Sequence, residues 1–488
     1  MKQRVISVLL CAALALQPCM AEAAQKKAEA AEAAGQTESP QVRLENEPDR
    51  EEDFIEGEPI EPDDGWIQVN GGVLDENTEW NLVNEGEEQE EKSELKTREA
   101  GTGARTADGD IVEGSYGSTI TYSIDLSTGT LTFSGSGDMH NLWGVNSTFA
   151  PYLDRITSVI VGDGITAIGN STFSGFRELR TVRMPEGINR IGNYAFSSCE
   201  KLEQITIPSN VTAIGEDAFL SCHNLRSVRL PAGLKTIGDS AFLDNWKLVD
   251  IQIPDSVTKI GRRAFTQCYE LERITLPSGI TEIEEWLFFG CRKLREAVLQ
   301  KGIRKIGESA FAQCALTKIE IPEGVTSIGE DAFISCMSLA EVILPDSLSV
   351  IGEDAFWGSV YEKSFSGREF VVLGNGILYQ YNGSRTSVAV PEGVTTIADA
   401  VFKNHKEIVE AVFPENLRSI GASAFEGCTA LERAAVPKGV ERVGKDAFRG
   451  TLFLKSQEDG IVEMHLCFPS VYQDMNGTNR DISGGREF

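Results

Sequence analysis

Histidine is scarce in this 488-residue chain, which has four: His140, His223, His405 and His465. They stand in unrelated contexts, and none forms a metal-binding pair or adjoins a nucleophile motif. Short acidic fragments such as Asp108-Gly109-Asp110 and Gly162-Asp163-Gly164 are too brief for calcium loops. The sequence therefore points to no catalytic residue, no metal site and no cofactor, and to a protein that is not an enzyme. Positive charge is also short. Lys and Arg number 45 against 74 Asp and Glu, a net charge of −29, which argues against a nucleic-acid partner or an anionic membrane. Long apolar runs are missing: Val5–Leu16 is too short to span a bilayer, and nothing of spanning length follows. No Leu-Pro-x-Thr-Gly signal for sortase anchoring stands near residue 488.

The short apolar run has another use. Lys2 and Arg4 precede it and Ala21-Glu22-Ala23 follows, so residues 1–23 read as a secretory signal peptide cleaved after Ala23. A lipoprotein site at Cys19 is the alternative, but Pro18 replaces the small residue such sites prefer. Residues 24–110 follow as an acidic stalk. Positions 26–100 carry 24 acidic and 7 basic residues, too few apolar groups to offset ordering entropy, and the segment is expected to be disordered. Its sharper reading is an arm that binds cations or a cationic partner.

Beyond the stalk, twelve phenylalanines keep a 23-residue period: Phe173, Phe196, Phe219, Phe242, Phe265, Phe288, Phe311, Phe333, Phe356, Phe402, Phe425 and Phe448. One step is 22 residues and one is 46. A fixed period of this length predicts a solenoid, in which each repeat buries its apolar face only against its neighbours. A full copy runs from Leu202 to Asn224, LEQITIPSNVTAIGEDAFLSCHN. Leu-x-x-Ile-x-Ile reads as a short strand with positions one, four and six inward and three and five outward. Proline ends it, as at Pro208, because proline cannot donate to a ladder. A second apolar stretch, Val211–Ile214, leads to a glycine that suits a turn with positive φ. Gly-x-x-Ala-Phe is then expected to form a helical or 3₁₀ turn.

These repeats, over roughly 156–450, resemble the leucine-rich repeats of BspA-like bacterial surface proteins. The resemblance implies a right-handed, strand-rich leucine-rich repeat coil and a role in adhesion or recognition. Thr119–Gly137 resembles the strand-rich segment that precedes such repeats, and Phe370–Gly383 resembles a hairpin inserted within them. The expected organisation is a strand-rich N-terminal cap at 111–155, with Trp143, Phe149 and Tyr152 covering the first coil. Nine coils follow at 156–359, an inserted hairpin coil at 360–384, three coils at 385–450, and a cap or tail at 451–488. Departures are local: Gln300 replaces the proline, and Glu284 and Ala398 replace the glycine.

Seven cysteines occupy one repeat position, three after the phenylalanine: Cys199, Cys222, Cys268, Cys291, Cys314, Cys336 and Cys428. Asn245, Ser359 and His405 also appear there. Interchange of Cys, Asn and Ser suggests a small buried group that hydrogen-bonds the turn, a column that leucine-rich repeats commonly use. Disulfides between coils meet parallel Cβ vectors, and a metal string lacks convergent ligands. Cys467 stands alone.

The outward strand positions are the remaining candidates. Early coils offer polar residues with Arg183, Arg229, Gln252 and Arg273. Later ones interleave acidic residues with Val298, Ile343 and Val412. Arginine would orient a partner carboxylate or glycan acid, and the apolar residues would supply interface contact. Trp246 and Trp357 read either as sugar platforms or as packing between coils. The expected function is a secreted or cell-surface protein binding extracellular protein or glycan through this face. The alternative is a passive spacer or scaffold with its activity in another chain or module.

Overall fold

A computed structural model describes residues 110–142 and 148–454, together with short strands at Ala104–Arg105, Val471–Gln473 and Asn479–Asp481. The signal peptide, nearly all of the acidic stalk, Trp143, and most of the C-terminal tail with Cys467 and His465 lie outside the described residues. The described residues form a strand-rich solenoid, and its first sheet arises from the Leu-x-x-Ile-x-Ile segment. Gln204–Thr206 pairs in parallel with Ser227–Arg229, each residue opposite its equivalent 23 positions on. Ile205 is buried while Gln204 and Thr206 are exposed, so the alternation along the strand separates core from surface. Ile207 donates the next bond, to Arg229 O at 3.0 Å. Pro208 has no N–H to continue the ladder, and its carbonyl instead accepts from Val211 N at 3.1 Å, closing a turn.

The second apolar stretch forms a second parallel sheet, with Ala213–Ile214 between Arg190–Ile191 and Thr236–Ile237. Between the two sheets run the phenylalanines. Phe196, Phe219 and Phe242 are fully buried, with successive ring centroids 5.2 and 5.3 Å apart and planes within 4° of parallel.

The third side differs from the expected helical turn. Gly-x-x-Ala-Phe is turn, broken by left-handed residues such as Asp217 (φ 52°) and Ser221 (φ 57°). Its amides point to the next coil: Asp217 N to Asp239 O, Phe219 N to Ala241 O and Ser221 N to Leu243 O, each 2.9 Å. A helix would spend those amides within its own coil. Here they join neighbouring coils, so hydrogen bonds clamp the stack on a third side as well. Helix is confined elsewhere, to a 3₁₀ turn at Ala150–Tyr152, an α-helical turn at Val360–Lys363 and a turn at 452–454.

The recurring glycine also has a different cause from the one expected. Gly238 does not adopt positive φ. A Cβ there would lie 2.6 Å from Glu216 N and from Gly215 C, so glycine is required because adjacent coils touch backbone to backbone. Each column thiol reaches back to the phenylalanine carbonyl of the preceding coil: Cys222 Sγ to Phe196 O at 3.1 Å, Cys291 to Phe265 O at 3.2 Å and Cys428 to Phe402 O at 2.9 Å. Asn245 makes the same bond through Nδ2, to Phe219 O at 2.9 Å. All seven thiols are unbridged and buried, and burial pushes Cys291 and Cys336 up to about 12.

In the inserted coil a hairpin opens the second sheet of the later coils, with no ladder back to Val350–Ile351, and no first-sheet strand forms. Phe370–Leu373 and Ile377–Tyr381 form an antiparallel hairpin, and the latter pairs in parallel with Thr396–Ile397. Where a first-sheet strand would lie, Ser359 caps the helix Val360–Lys363. Two tyrosines carry the aromatic stack across. Tyr379 meets Phe356 edge-on at 5.8 Å, and Tyr381 meets Phe402 at 5.0 Å. Tyr379 stands 23 residues from each phenylalanine. Its hydroxyl accepts from Phe356 N at 3.1 Å, in place of the alanine carbonyl that serves Phe333 N.

At the N-terminal end, three antiparallel strands, Ile111–Tyr116, Ile120–Asp125 and Thr130–Gly135, join the first sheet through Ser158–Val161. Phe149 is buried there between Phe133, Tyr122 and Phe176, and Tyr152 is half-buried.

Candidate functional site

The exposed face of the first sheet is made by alternate residues of three-residue strands, so its chemistry is two rows of side chains stepping about 4.8 Å per coil. One row runs Arg183, Thr206, Arg229, Gln252, Thr275 and Val298, all exposed. The other contains Arg273, which pairs in register with Glu296. Arg183 and Arg229 are thus two coil steps apart in one row, and Arg273 lies two coils further on in the other. None of these three arginines makes an ion pair or side-chain hydrogen bond with another described residue. Gln252 donates its amide to Asp250 Oδ1 at 2.8 Å.

The later coils behave differently. Lys318 is engaged by Glu341 at 2.6 Å and Arg433 by Glu410 at 3.1 Å. Beside these neutralised pairs stand Val298, Ile343 and Val412, which are 38%, 41% and 48% exposed. The inserted coil divides this half, because the helix Val360–Lys363 stands where a first-sheet strand between Glu341–Ile343 and Ser387–Ala389 would lie. The structure therefore brings Val298 and Ile343 to one side of the insert and leaves Val412 on the other.

The BspA type leucine-rich repeat region family matches the chain at residues 146–272, 258–375 and 375–458, with six copies of the repeat. The chain belongs to that family. Among solved structures it is similar to a leucine-rich repeat protein from Bacteroides ovatus, with 22% identity over 69% of this chain and 92% of the other and a TM-score of 0.44. A leucine rich cell surface protein from Faecalibacterium prausnitzii matches at 24% identity over 70% and 86%, with a TM-score of 0.35. No curated protein matches.

Elsewhere on this BspA-type solenoid, Trp246 lies in a stack, with His223 at 3.9 Å on one side and Tyr269 at 6.2 Å on the other. The Arg292 guanidinium covers Tyr269 at 4.9 Å. Stacking along the coil axis covers the indole faces and leaves edges to solvent, which suits packing between coils better than a sugar platform. Trp357 is 46% exposed. His405 shares a hydrogen bond with Glu407 at 2.8 Å, and His140 stacks on Tyr116. Among the described residues no three His, Cys, Asp or Glu side chains converge as metal ligands, and no helix is long and apolar enough to cross a membrane.

Carboxylates crowd one edge of the turns. Burial, and then the charges of Glu330, Asp354, Glu308 and Glu353, push Asp331 up to about 7. Lys403 holds Glu353 at 2.9 Å. Since the folded pKa lies above the ordinary 3.8, the native state binds a proton that the unfolded chain has released. Stability from this group is therefore greatest in acid and falls as pH rises through about 7. Asp331→Asn, which tolerates the left-handed backbone at φ 58°, is expected to raise stability above pH 7. The gain is on the order of 1 kcal/mol after screening of a partly exposed group, and it vanishes near pH 4. Thermal melts at the two pH values check this, and an equal shift at both would refute it.

Proposed function

We propose that this protein is exported and works at the cell surface, binding an extracellular protein or glycan through the exposed face of its first sheet, without catalysis or cofactor. The supporting observation is that Arg183, Arg229 and Arg273 stand exposed, with no ionic partner among the described residues, on a strongly acidic chain. A guanidinium left unpaired beside plentiful carboxylates is available for a partner's carboxylate or acidic sugar. Val298 and Ile343 extend that patch with apolar contact. Export is supported by the reading of residues 1–23 as a signal peptide.

The triple variant Arg183→Glu, Arg229→Glu, Arg273→Glu tests this. Capture from extracellular-matrix and bacterial-surface fractions is expected to weaken about tenfold or more, with an unchanged melting temperature. Equal capture by wild type and variant would leave the sheet face without a role and favour a spacer.

A further inference from the structure

One junction in the solenoid lacks the backbone ties that join its other coils. The coil of Phe333 shows the ordinary pattern. Its turn amides Asp331 N, Phe333 N and Ser335 N donate to Glu353 O, Ala355 O and Trp357 O of the Phe356 coil, at 3.0, 2.8 and 2.7 Å. Lys318–Glu320 pairs with Glu341–Ile343 in the first sheet, and Ser327–Ile328 with Val350–Ile351 in the second. Between the Phe356 coil and the insert this pattern stops. Among the described residues a single backbone hydrogen bond joins residues 339–358 to residues 360–384, from Tyr361 N to Leu339 O at 2.7 Å. Phe356 N turns instead to the Tyr379 hydroxyl, and Gly358 N to Glu362 Oε2 at 3.0 Å. The hairpin is bonded forwards: Gly376 O and Leu378 O accept from Thr395 N and Ala398 N, each at 2.8 Å. It therefore belongs to the later coils and meets the Phe356 coil mainly through side chains.

Those side chains are mostly aromatic. Phe333 lies within 10° of parallel to Phe356, whereas Tyr361 and Tyr379 meet Phe356 edge-on, at 77° and 67°. Apolar contact is non-directional and does not fix orientation as a backbone ladder does. One polar tie crosses the insert directly. Lys403 Nζ, on the Phe402 coil, reaches both carboxylate oxygens of Glu353, on the Phe356 coil, at 3.0 and 2.9 Å. The lysine side chain is 13% exposed, so salt and water screen this pair less than a surface bridge. Burial raises the pKa of Asp354 on the Phe356 coil and of Asp399 on the Phe402 coil, and Lys403 opposes both shifts. Without that ammonium, carboxylates of the two coils would repel each other across the junction.

We propose that this junction is a hinge at which the solenoid opens, and that the Lys403–Glu353 pair is the latch that holds it closed. Val412 lies beyond the hinge from Val298 and Ile343, so opening changes how the two parts of the first-sheet face are presented. Distances between spin labels on the full chain test this. Labels are placed by Thr275→Cys and Ala435→Cys, with Cys11, Cys19 and Cys467 changed to serine; the remaining thiols are buried. The pair spans seven coil steps, about 34 Å. A control pair, Thr206→Cys and Glu320→Cys, lies wholly on one side of the insert. Lys403→Met is expected to broaden the spanning distance distribution about twofold or more and to leave the control pair unchanged. Glu353→Gln, which keeps the side-chain shape, is expected to broaden it in the same direction. A spanning distribution unchanged by both variants overturns the proposal. So does equal broadening of the control pair, which would mean that the whole solenoid has loosened.

Discussion

Phe265→Ala is expected to destabilise the solenoid by about 3–5 kcal/mol. The ring is fully buried and sits between Phe242 at 5.5 Å and Phe288 at 5.6 Å, nearly parallel to both. Its coil is hydrogen-bonded to both neighbours: Phe265 N donates to Leu287 O at 3.0 Å, and Ala264 O accepts from Phe242 N at 2.8 Å. The walls are therefore held apart, and a cavity there cannot collapse. Because a repeat protein is a chain of nearest-neighbour interfaces, the damage should also be local. Hydrogen exchange is expected to show protection lost first in the coils around Phe242 to Phe288, with the distal coils least affected. A loss below about 1 kcal/mol, or protection lost evenly along the whole solenoid, would mean that the stack is not the main source of stability.

Gly238→Ala is the second large effect, expected at about 2–3 kcal/mol although it adds one methyl group. The new Cβ would stand 2.6 Å from backbone atoms of the preceding coil, and backbone cannot swing aside as a flexible side chain can. Separating the coils to admit it stretches the bond from Gly238 N to Ile214 O, now 2.9 Å. Gly233→Ala is the control. Its nearest contact would be Ser209 O at 3.8 Å, and its φ is not left-handed, so little change is expected. Urea unfolding of the two variants separates close coil approach from a general intolerance of alanine. Equal losses would count against the close-approach explanation.

That glycine shows where sequence reading stops. Its recurrence is visible in the chain, but two physical causes produce the same recurrence: a left-handed backbone, or a neighbour too close for a Cβ. Only coordinates distinguish them. The turn amides pose a similar problem, since Gly-x-x-Ala-Phe is compatible with a helical turn until the next coil is seen to accept its N–H groups. Tyr379 was within reach of counting, because it holds the 23-residue beat between Phe356 and Phe402. It is hidden only when the period is followed through phenylalanine alone. The candidate faces divide in the same way. Outward positions follow from strand alternation. Whether Arg229 is left unpaired while Arg433 is held by Glu410 depends on side chains from adjacent coils, and no single repeat records that.

The amino-acid order by itself determined the repeat length, the inward and outward residues of the first strand and the membership of the aromatic column. One step along a solenoid is one step in sequence, so periodicity translates directly into contact. Tertiary structure alone decided which carbonyl each thiol reaches, why glycine recurs, how two tyrosines bridge the insert, and that Lys403 reaches Glu353 across it. Those outcomes depend on distances of a few ångströms between neighbouring turns, and such distances are properties of the packed coils, absent from any one of them.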